Sequence, residues 1–382
     1  MTRGELLVVD PSLFTLPYDH ELCRALVQRG ERVRLVGRAL RRHEATASAA
    51  EYRFEPLFAD PSGAGRWRAV RKGIGHVVGL RRLQRLVQEI RPKAVFLQWL
   101  ALAPADRLVV PSLARACPLL LTAHDASAGG GRGFGGLQTI GWRGALRHFD
   151  HLIVHTREGA ATLRDSGVDR ARIHVIGHPV LPLAVPPSEP GRSSTEPLRL
   201  VIFGEIKPYK GIDVAIEAIA KLPGDLASSI RLTIAGRPRM DPAVLKETAE
   251  RFGVAGRVEW LDRYIPLNEL PEVLGCADAY LMPYRSADAS GVMALLLQLG
   301  RPIIASRTGS LAEIVGESGC GILVAPGDAA GLAAAIERLI RDPESAAVMG
   351  TAAARASADL PSWDEMAALL VGLADRASDE ER

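Results

Sequence analysis

The sequence predicts an α/β protein built of two Rossmann-like domains with parallel sheets facing across a cleft. Three observations carry that expectation. Short Val/Ile/Leu runs alternate with helical stretches along the whole chain, the pattern of parallel strands buried on both faces. The chain has 382 residues, more than one core ordinarily holds. Residues 177–197 carry prolines at 179, 182, 186, 187, 190 and 197, which is linker composition. The expected division is residues 1–183, a linker at 184–197, a second domain at 198–360, and a C-terminal helix at 361–382 that packs back on the first domain.

Taken in order, the apolar runs place strands at 6–9, 33–36, 94–97, 119–122, 152–154 and 173–176. In the second half they fall at 198–203, 231–235, 258–261, 279–282, 302–305 and 322–324. Residues 328–377 read as several helices closing the C-terminal end. Sheets of this kind take ligands at the carboxyl ends of their strands, so the loops that follow the strands are where chemistry is sought.

Charge and composition narrow the function. The net charge is only +3, but residues 1–190 hold 27 Lys+Arg against 17 Asp+Glu, and the remainder 20 against 27. The halves are therefore +10 and −7, which sum to +3. All nine histidines lie in the first half. Cys23, Cys117, Cys276 and Cys320 form no CxxC pair, which argues against a zinc site and suits reduced thiols in a cytoplasmic protein. The first residues lack the shape of a secretory leader, and no apolar run is long enough to span a bilayer. Residues 65–93 stand apart: nine Lys/Arg face the single acid Glu89, with apolar residues at near-helical spacing. Such a helix either lies on the anionic inner face of a membrane or is a solvated arginine face packed on its own domain. Gly73, Gly75 and Gly79 weaken it as a helix. A basic half can also attract nucleic acid, but no aromatic-interleaved or recognition-helix pattern accompanies it.

Two glycine-centred turns in the second half carry most of the chemistry. One is Phe203-Gly204-Glu205-Ile206-Lys207-Pro208-Tyr209-Lys210-Gly211; the other is Pro283-Tyr284, then residues 285–289, then Ser290-Gly291-Val292. Each joins an apolar strand to an apolar-periodic helix. Helix N-termini offer free N–H groups and a positive dipole end, so two such turns with two lysines suggest a diphosphate held from two sides. That points to a nucleotide-activated substrate.

These turns, the segment Asp262-Arg263-Tyr264-Ile265-Pro266 and the run 300–306 follow one another as in glycosyltransferase family 4, which the chain resembles over most of residues 198–340. Residues 308–315 and 321–326 continue the likeness; residues 121–125, 153–156 and 175–179 extend it more loosely into the first half. The resemblance implies the GT-B fold, a nucleotide-diphosphate sugar as donor, and transfer with retention of configuration. It places Lys210 on the donor diphosphate, where an ammonium would meet charge on the departing nucleotide. Many members carry an arginine directly after Gly204. Here Glu205 stands there, and Lys207 is the nearest basic substitute. Ser290, Gly291 and Val292 would offer a capped helix start to phosphate. Many members also carry two glutamates, whose positions by register are Ala287 and Leu295, and the chain resembles a subgroup lacking both. Asp288, one residue off register, is either a stand-in for the sugar-side acid or a plain loop aspartate.

In the first half, His124 aligns loosely with a histidine that contacts the donor sugar near the reaction centre. After Asp125, the Gly-rich loop 129–136 could close over an acceptor. Tyr18 and Asp19, in the segment 11–20, either face the acceptor or belong to an ordinary strand-to-helix connection. Glu313 is structural or substrate-directed. His151, His155 and His178 read as structural, with no metal-ligand spacing.

The reading is a retaining hexosyltransferase-type enzyme, with no cofactor or metal. It would move a sugar from a UDP- or GDP-linked donor to a glycan or lipid-linked acceptor in cell-surface polysaccharide or glycolipid assembly. Its partners would be that nucleotide sugar, that acceptor and an anionic membrane met peripherally through residues 65–93, but not nucleic acid. The rival is a non-catalytic nucleotide-sugar or glycan-binding protein on the same scaffold, motivated by Glu205 and the two missing glutamates.

Overall fold

The computed structural model describes residues 4–41, 44, 51–60, 68–124, 126, 141–183, 196–287 and 289–380. They form two compact units, Met1–Pro179 with Pro361–Arg382, and Val180–Leu360.

The first unit contains β1 (Leu6–Val9), α1 (Leu16–Gln28), β2 (Val33–Arg38), β3 (Arg53–Phe58), α2 (Arg68–Ile90), β4 (Ala94–Leu97), α3 (Ala103–Ala114), β5 (Leu119–Thr122), α4 (Trp142–Leu146), β6 (His151–Val154), α5 (Arg157–Asp165) and β7 (Ile173–Val175). Its seven-stranded sheet runs β3-β2-β1-β4-β5-β6-β7, with every pair parallel. The central strands are buried along their whole length, as their unbroken Leu/Val/Phe runs require. β3 has no such run. Arg53 and Pro56 are exposed on it, and a proline is tolerated because this is the sheet edge. The C-terminal helix, Trp363–Glu380, places Met366, Leu370 and Leu373 in one core with Leu22 and Leu26 of α1.

α2 crosses its three glycines as a continuous helix. Gly79 lies so close to β3 that an added Cβ would meet Phe58 Cδ1 at 2.2 Å, and one at Gly75 would meet Ala59 Cβ at 2.9 Å. Gly75 and Gly79, which cost helix propensity, are the ones that let the helix approach β3 and the residue after it, while Gly73 faces open space. Leu80, Leu83 and Val87 are buried, while Val70, Ile74, Val77 and Val78 stay 41–61% exposed beside exposed Arg71, Lys72, Arg81, Arg82 and Arg85.

The second unit contains β8 (Leu198–Phe203), α6 (Ile212–Lys221), α7 (Gly224–Ser228), β9 (Ile230–Ala235), α8 (Ala243–Arg251), β10 (Val258–Leu261), α9 (Leu270–Gly275), β11 (Ala279–Met282), α10 (Gly291–Leu297), β12 (Ile303–Ser306), α11 (Gly309–Ser318), β13 (Gly321–Val324), α12 (Ala329–Arg341) and α13 (Pro343–Ala358). Its parallel sheet runs β10-β9-β8-β11-β12-β13. The chain winds outward from β8 in one direction, then returns to β11 and winds the other way. The strand order therefore reverses between β8 and β11, the switch point at which sheets of this type bind ligands. In the first sheet the equivalent point lies between β1 and β4.

Candidate functional site

Both glycine-centred turns flank the crevice between β8 and β11. Gly204 closes β8 at φ +110°, which side chains rarely adopt; a Cβ there would stand 3.1 Å from Lys210 Nζ and 3.2 Å from Val292 Cγ2. The two turns thus touch at Gly204. They are also tied together. Gly211, at φ +65°, has Pro283 O only 1.9 Å from where its Cβ would lie. Arg285 N donates to Tyr209 O at 2.7 Å, and its guanidinium donates to Pro208 O at 2.9 Å and to both Asp213 oxygens at 2.9 and 2.6 Å.

Lys210 sits on the 3-10 turn Pro208–Lys210 and is 4% exposed. Its Nζ donates to the Tyr284 hydroxyl and, at 3.5 Å, to Phe203 O; it lies 4.2 Å from the Tyr284 ring centroid. It forms no ion pair among the described residues. Burial first, then the charge of Lys207, pull its pKa down to about 7, with Glu205 acting the other way. A solvated lysine at a helix start is therefore not what the structure holds. A buried ammonium without a counter-anion is costly, and an incoming anion relieves that cost.

Ser290 caps α10, its Oγ accepting from Met293 N at 3.3 Å, so the N–H groups of Gly291 and Val292 open the helix with no carbonyl before them in it. Thr308 Oγ1 accepts from Ala287 N at 3.2 Å and anchors the loop after β11 to the start of α11. Leu295 is a core residue, packed with Met293 and Leu297. Glu313 is half-buried on α11. Asp288, Asp125 and the loop 129–136 lie outside the described residues.

Glu205 gathers the neighbouring charge. Its carboxylate accepts from Arg237 Nη2 at 3.0 Å and Arg239 Nε at 2.7 Å, and pairs with Lys207 Nζ at 3.0 Å. Although burial opposes it, these partners hold its pKa at about 2. Arg237 and Arg239 were not legible as site residues, because only strand register brings them beside Glu205. Tyr284 could have been suspected from its place in the second turn, but its contact with Lys210 could not.

The first unit has its own polar crevice, where the loops after β1, β4 and β5 meet. Asp10 accepts from Ser12 N at 2.9 Å and Thr15 N at 3.0 Å, folding that loop onto itself. Trp99 Nε1 donates to Thr15 Oγ1 at 3.2 Å. Trp99 stacks on His124 at 5.0 Å between ring centroids, and His124 Nε2 bonds Gln98 Oε1 at 3.0 Å. Tyr18 meets His124 edge-on at 4.8 Å, and His155 stands 5.1 Å from both His124 and His178. His155 Nδ1 donates to Ile176 O at 3.0 Å and His178 Nδ1 to Pro179 O at 2.7 Å, which fixes their tautomers. Burial lowers all three histidines: His124 well below the usual range, His155 to about 4 and His178 to about 3. At neutral pH they are uncharged hydrogen-bonding groups. The Tyr18 hydroxyl, Gln98 Nε2 and His155 Nε2 are buried with no hydrogen-bond partner among the described residues, so this crevice has polar atoms to offer a ligand.

Tyr18 and Asp19 lie where the strand-to-helix connection has already become helix, with Asp19 in the first turn. Thr15 is the N-cap and Pro17 lies in the first turn, so both residues are inside α1. Asp19 is fully buried, and burial, then the nearby Asp10, raise its pKa well above the carboxylate range. It props the loop after β1. Among the described residues no His/Cys/Asp/Glu group could hold a metal ion.

Residues 17–179 match the family model described as "Glycosyl transferase 4-like domain", and residues 197–342 that described as "Glycosyl transferases group 1". The chain is 32% identical over 294 residues to the D-inositol 3-phosphate glycosyltransferase of Mycobacterium marinum, covering 73% of this chain and 60% of that protein. It is 32% identical over 292 residues to the protein of the same name from Mycolicibacterium paratuberculosis, covering 73% and 64%. It thus spans less than two thirds of the length of these relatives. Among solved structures, sucrose-phosphate synthase from Thermosynechococcus elongatus superposes at a TM-score of 0.79, with 20% identity over all of both chains. Anabaena HepE in complex with UDP and glucose superposes at 0.75, with 16% identity over 97% of this chain and 100% of that one.

Proposed function

Because the chain belongs to the family 4 type of glycosyltransferases and has their GT-B fold, we propose that it moves a sugar from a nucleotide diphosphate to an acceptor. The observation that carries this reading is Lys210, a buried lysine without an ion-pair partner among the described residues, at the crevice of the second sheet. The phosphates of a UDP- or GDP-sugar would supply its missing anion, and the N–H groups of Gly291 and Val292 would meet them from the other turn. Lys210 would then oppose charge on the departing nucleotide without a metal or cofactor. HepE, a structure of the same fold, binds UDP and glucose, which supports the donor class.

The uncharged crevice around His124, Gln98 and Tyr18 suits hydroxyl groups of a sugar. Transfer is proposed to be hexosyl and retaining, onto a glycan or lipid-linked acceptor in surface polysaccharide or glycolipid assembly. The exposed Val70, Ile74, Val77 and Val78 beside five exposed cations support a peripheral seat for α2 on an anionic membrane, on its cytoplasmic face.

The test is nucleotide release from UDP- and GDP-sugars, with and without acceptor, followed by NMR of the anomeric product. Release lost in Lys210→Met, and a product retaining its configuration, are expected. Tight nucleotide binding with no release under any acceptor would favour a non-catalytic binding protein. No binding of any nucleotide would sink the proposal.

A further inference from the structure

Beyond Gly204 and Gly236 the ladder between β8 and β9 continues for a few residues. Ile206 N donates to Arg237 O at 3.0 Å, and Arg239 N to Ile206 O at 2.9 Å. This register brings Glu205, Lys207, Arg237 and Arg239 together at the carboxyl end of the sheet, where three cations share one carboxylate and leave a net charge of +2. The group adjoins the phosphate turn directly. A Cβ on Gly236 would lie 2.0 Å from Gly204 O, and Gly204 packs on Lys210 Nζ. Both Lys207 and Glu205 act electrostatically on Lys210.

A carboxylate beside an anion site repels the ligand unless it serves another end. Here it fixes three long side chains, each of which would otherwise have to be ordered when a ligand binds. All four side chains keep a quarter to two fifths of their surface exposed, so the three cations are held in place without being sealed off from solvent. We propose that Arg237 and Arg239, with Lys207, form a second phosphate-binding element for the nucleoside diphosphate, and that Glu205 is its positioning residue. The inference rests on the donor site proposed above. It assigns the recognition of phosphate oxygens to two arginines from the β9 side in addition to Lys210.

The test is calorimetric titration of UDP, GDP and the parent nucleosides into the wild-type protein, R237Q/R239Q and E205Q, each checked for an unchanged circular dichroism spectrum. The double variant should lose about tenfold or more in diphosphate affinity, keep its nucleoside affinity, and show a shallower dependence on salt. E205Q raises the net charge by one. If Glu205 merely balanced charge, diphosphate affinity would rise in E205Q; as a positioning residue its loss should lower affinity. Wild-type binding that R237Q/R239Q leaves unchanged, or a rise in E205Q, would overturn this inference and leave the donor site standing. A wild-type protein that binds no nucleoside diphosphate would overturn both.

Discussion

Binding of a nucleoside diphosphate should take up a proton at Lys210. Burial and the neighbouring Lys207 hold the free lysine at about pKa 7. A bound diphosphate favours the ammonium and moves that value back into the usual lysine range or above. Below pH 7 the lysine is already charged and affinity is at its plateau. Above pH 7 each unit of pH requires the protein to buy back a proton, at about 1.4 kcal/mol per unit. Between pH 7 and 9 the loss comes to about fiftyfold, or ~2.3 kcal/mol. The terminal phosphate titrates near pH 6 and is largely ionised from pH 7 upward, so the ligand does not cause the trend. Calorimetry in two buffers of different ionisation heat reads the uptake directly: about 0.9 proton per nucleotide at pH 8 for a group of pKa 7. Lys210→Met should bind more weakly, with no dependence on pH and no uptake. A wild-type affinity that is flat from pH 7 to 9, or uptake that persists in Lys210→Met, would refute the argument. The free protein supplies a control with a defined sign. The unfolded lysine holds its proton up to its ordinary value near 10.4 and the folded one only to about 7, so stability should rise with pH across that window and Lys210→Met should abolish the rise.

Three further outcomes follow from the geometry. Gly204→Ala places a Cβ against Lys210 Nζ and Val292 at φ +110°, so nucleotide affinity should fall at least tenfold, about 1.4 kcal/mol, and titration calorimetry reads it; unchanged affinity would contradict the contact of the two turns. α2 should bring the protein down with sedimenting vesicles containing phosphatidylglycerol but not with pure phosphatidylcholine, and Ile74→Asp with Arg81→Glu should release it; equal sedimentation of the two proteins would assign those residues to solvent. The folded pKa of His155 lies near 4, below its unfolded value of about 6.5, so its share of stability is present above pH 6.5 and is lost as pH falls to 4. That share is on the order of 3 kcal/mol, and His155→Gln should flatten the acid limb of a urea-denaturation series; a limb as steep as in the wild type would show that this histidine is not buried neutral.

Twelve of the described strands were readable because each centres on a short apolar run, and those in the middle of the two sheets are buried along their whole length, which leaves little freedom in placing them. β3 escaped because an edge strand with Arg53, Glu55 and Pro56 carries no such run; only its pairing with β2 makes it a strand. The glycines of α2 were misleading for a related reason. Propensity counts their cost in an isolated helix, while Phe58 shows that the packed helix needs the space. Helix α1 carried a usable start signal in Thr15 and Pro17, and it puts Tyr18 and Asp19 at the helical end of the strand-to-helix connection.

The site shows the same division between what lies along the chain and what register creates. Gly204, Lys210 and Ser290 stand in local turns whose chemistry can be read residue by residue. The burial of Lys210 cannot, because it comes from Tyr284, 74 residues away. Nor can the role of Glu205. In sequence it is an acid where a cation would suit a phosphate; in the fold it is the residue on which Arg237 and Arg239 converge from another strand. A departure from a motif is therefore weak reason to doubt a function until the partners of the substituted residue are known. Glu205 removes one positive charge along the chain and gathers three in space.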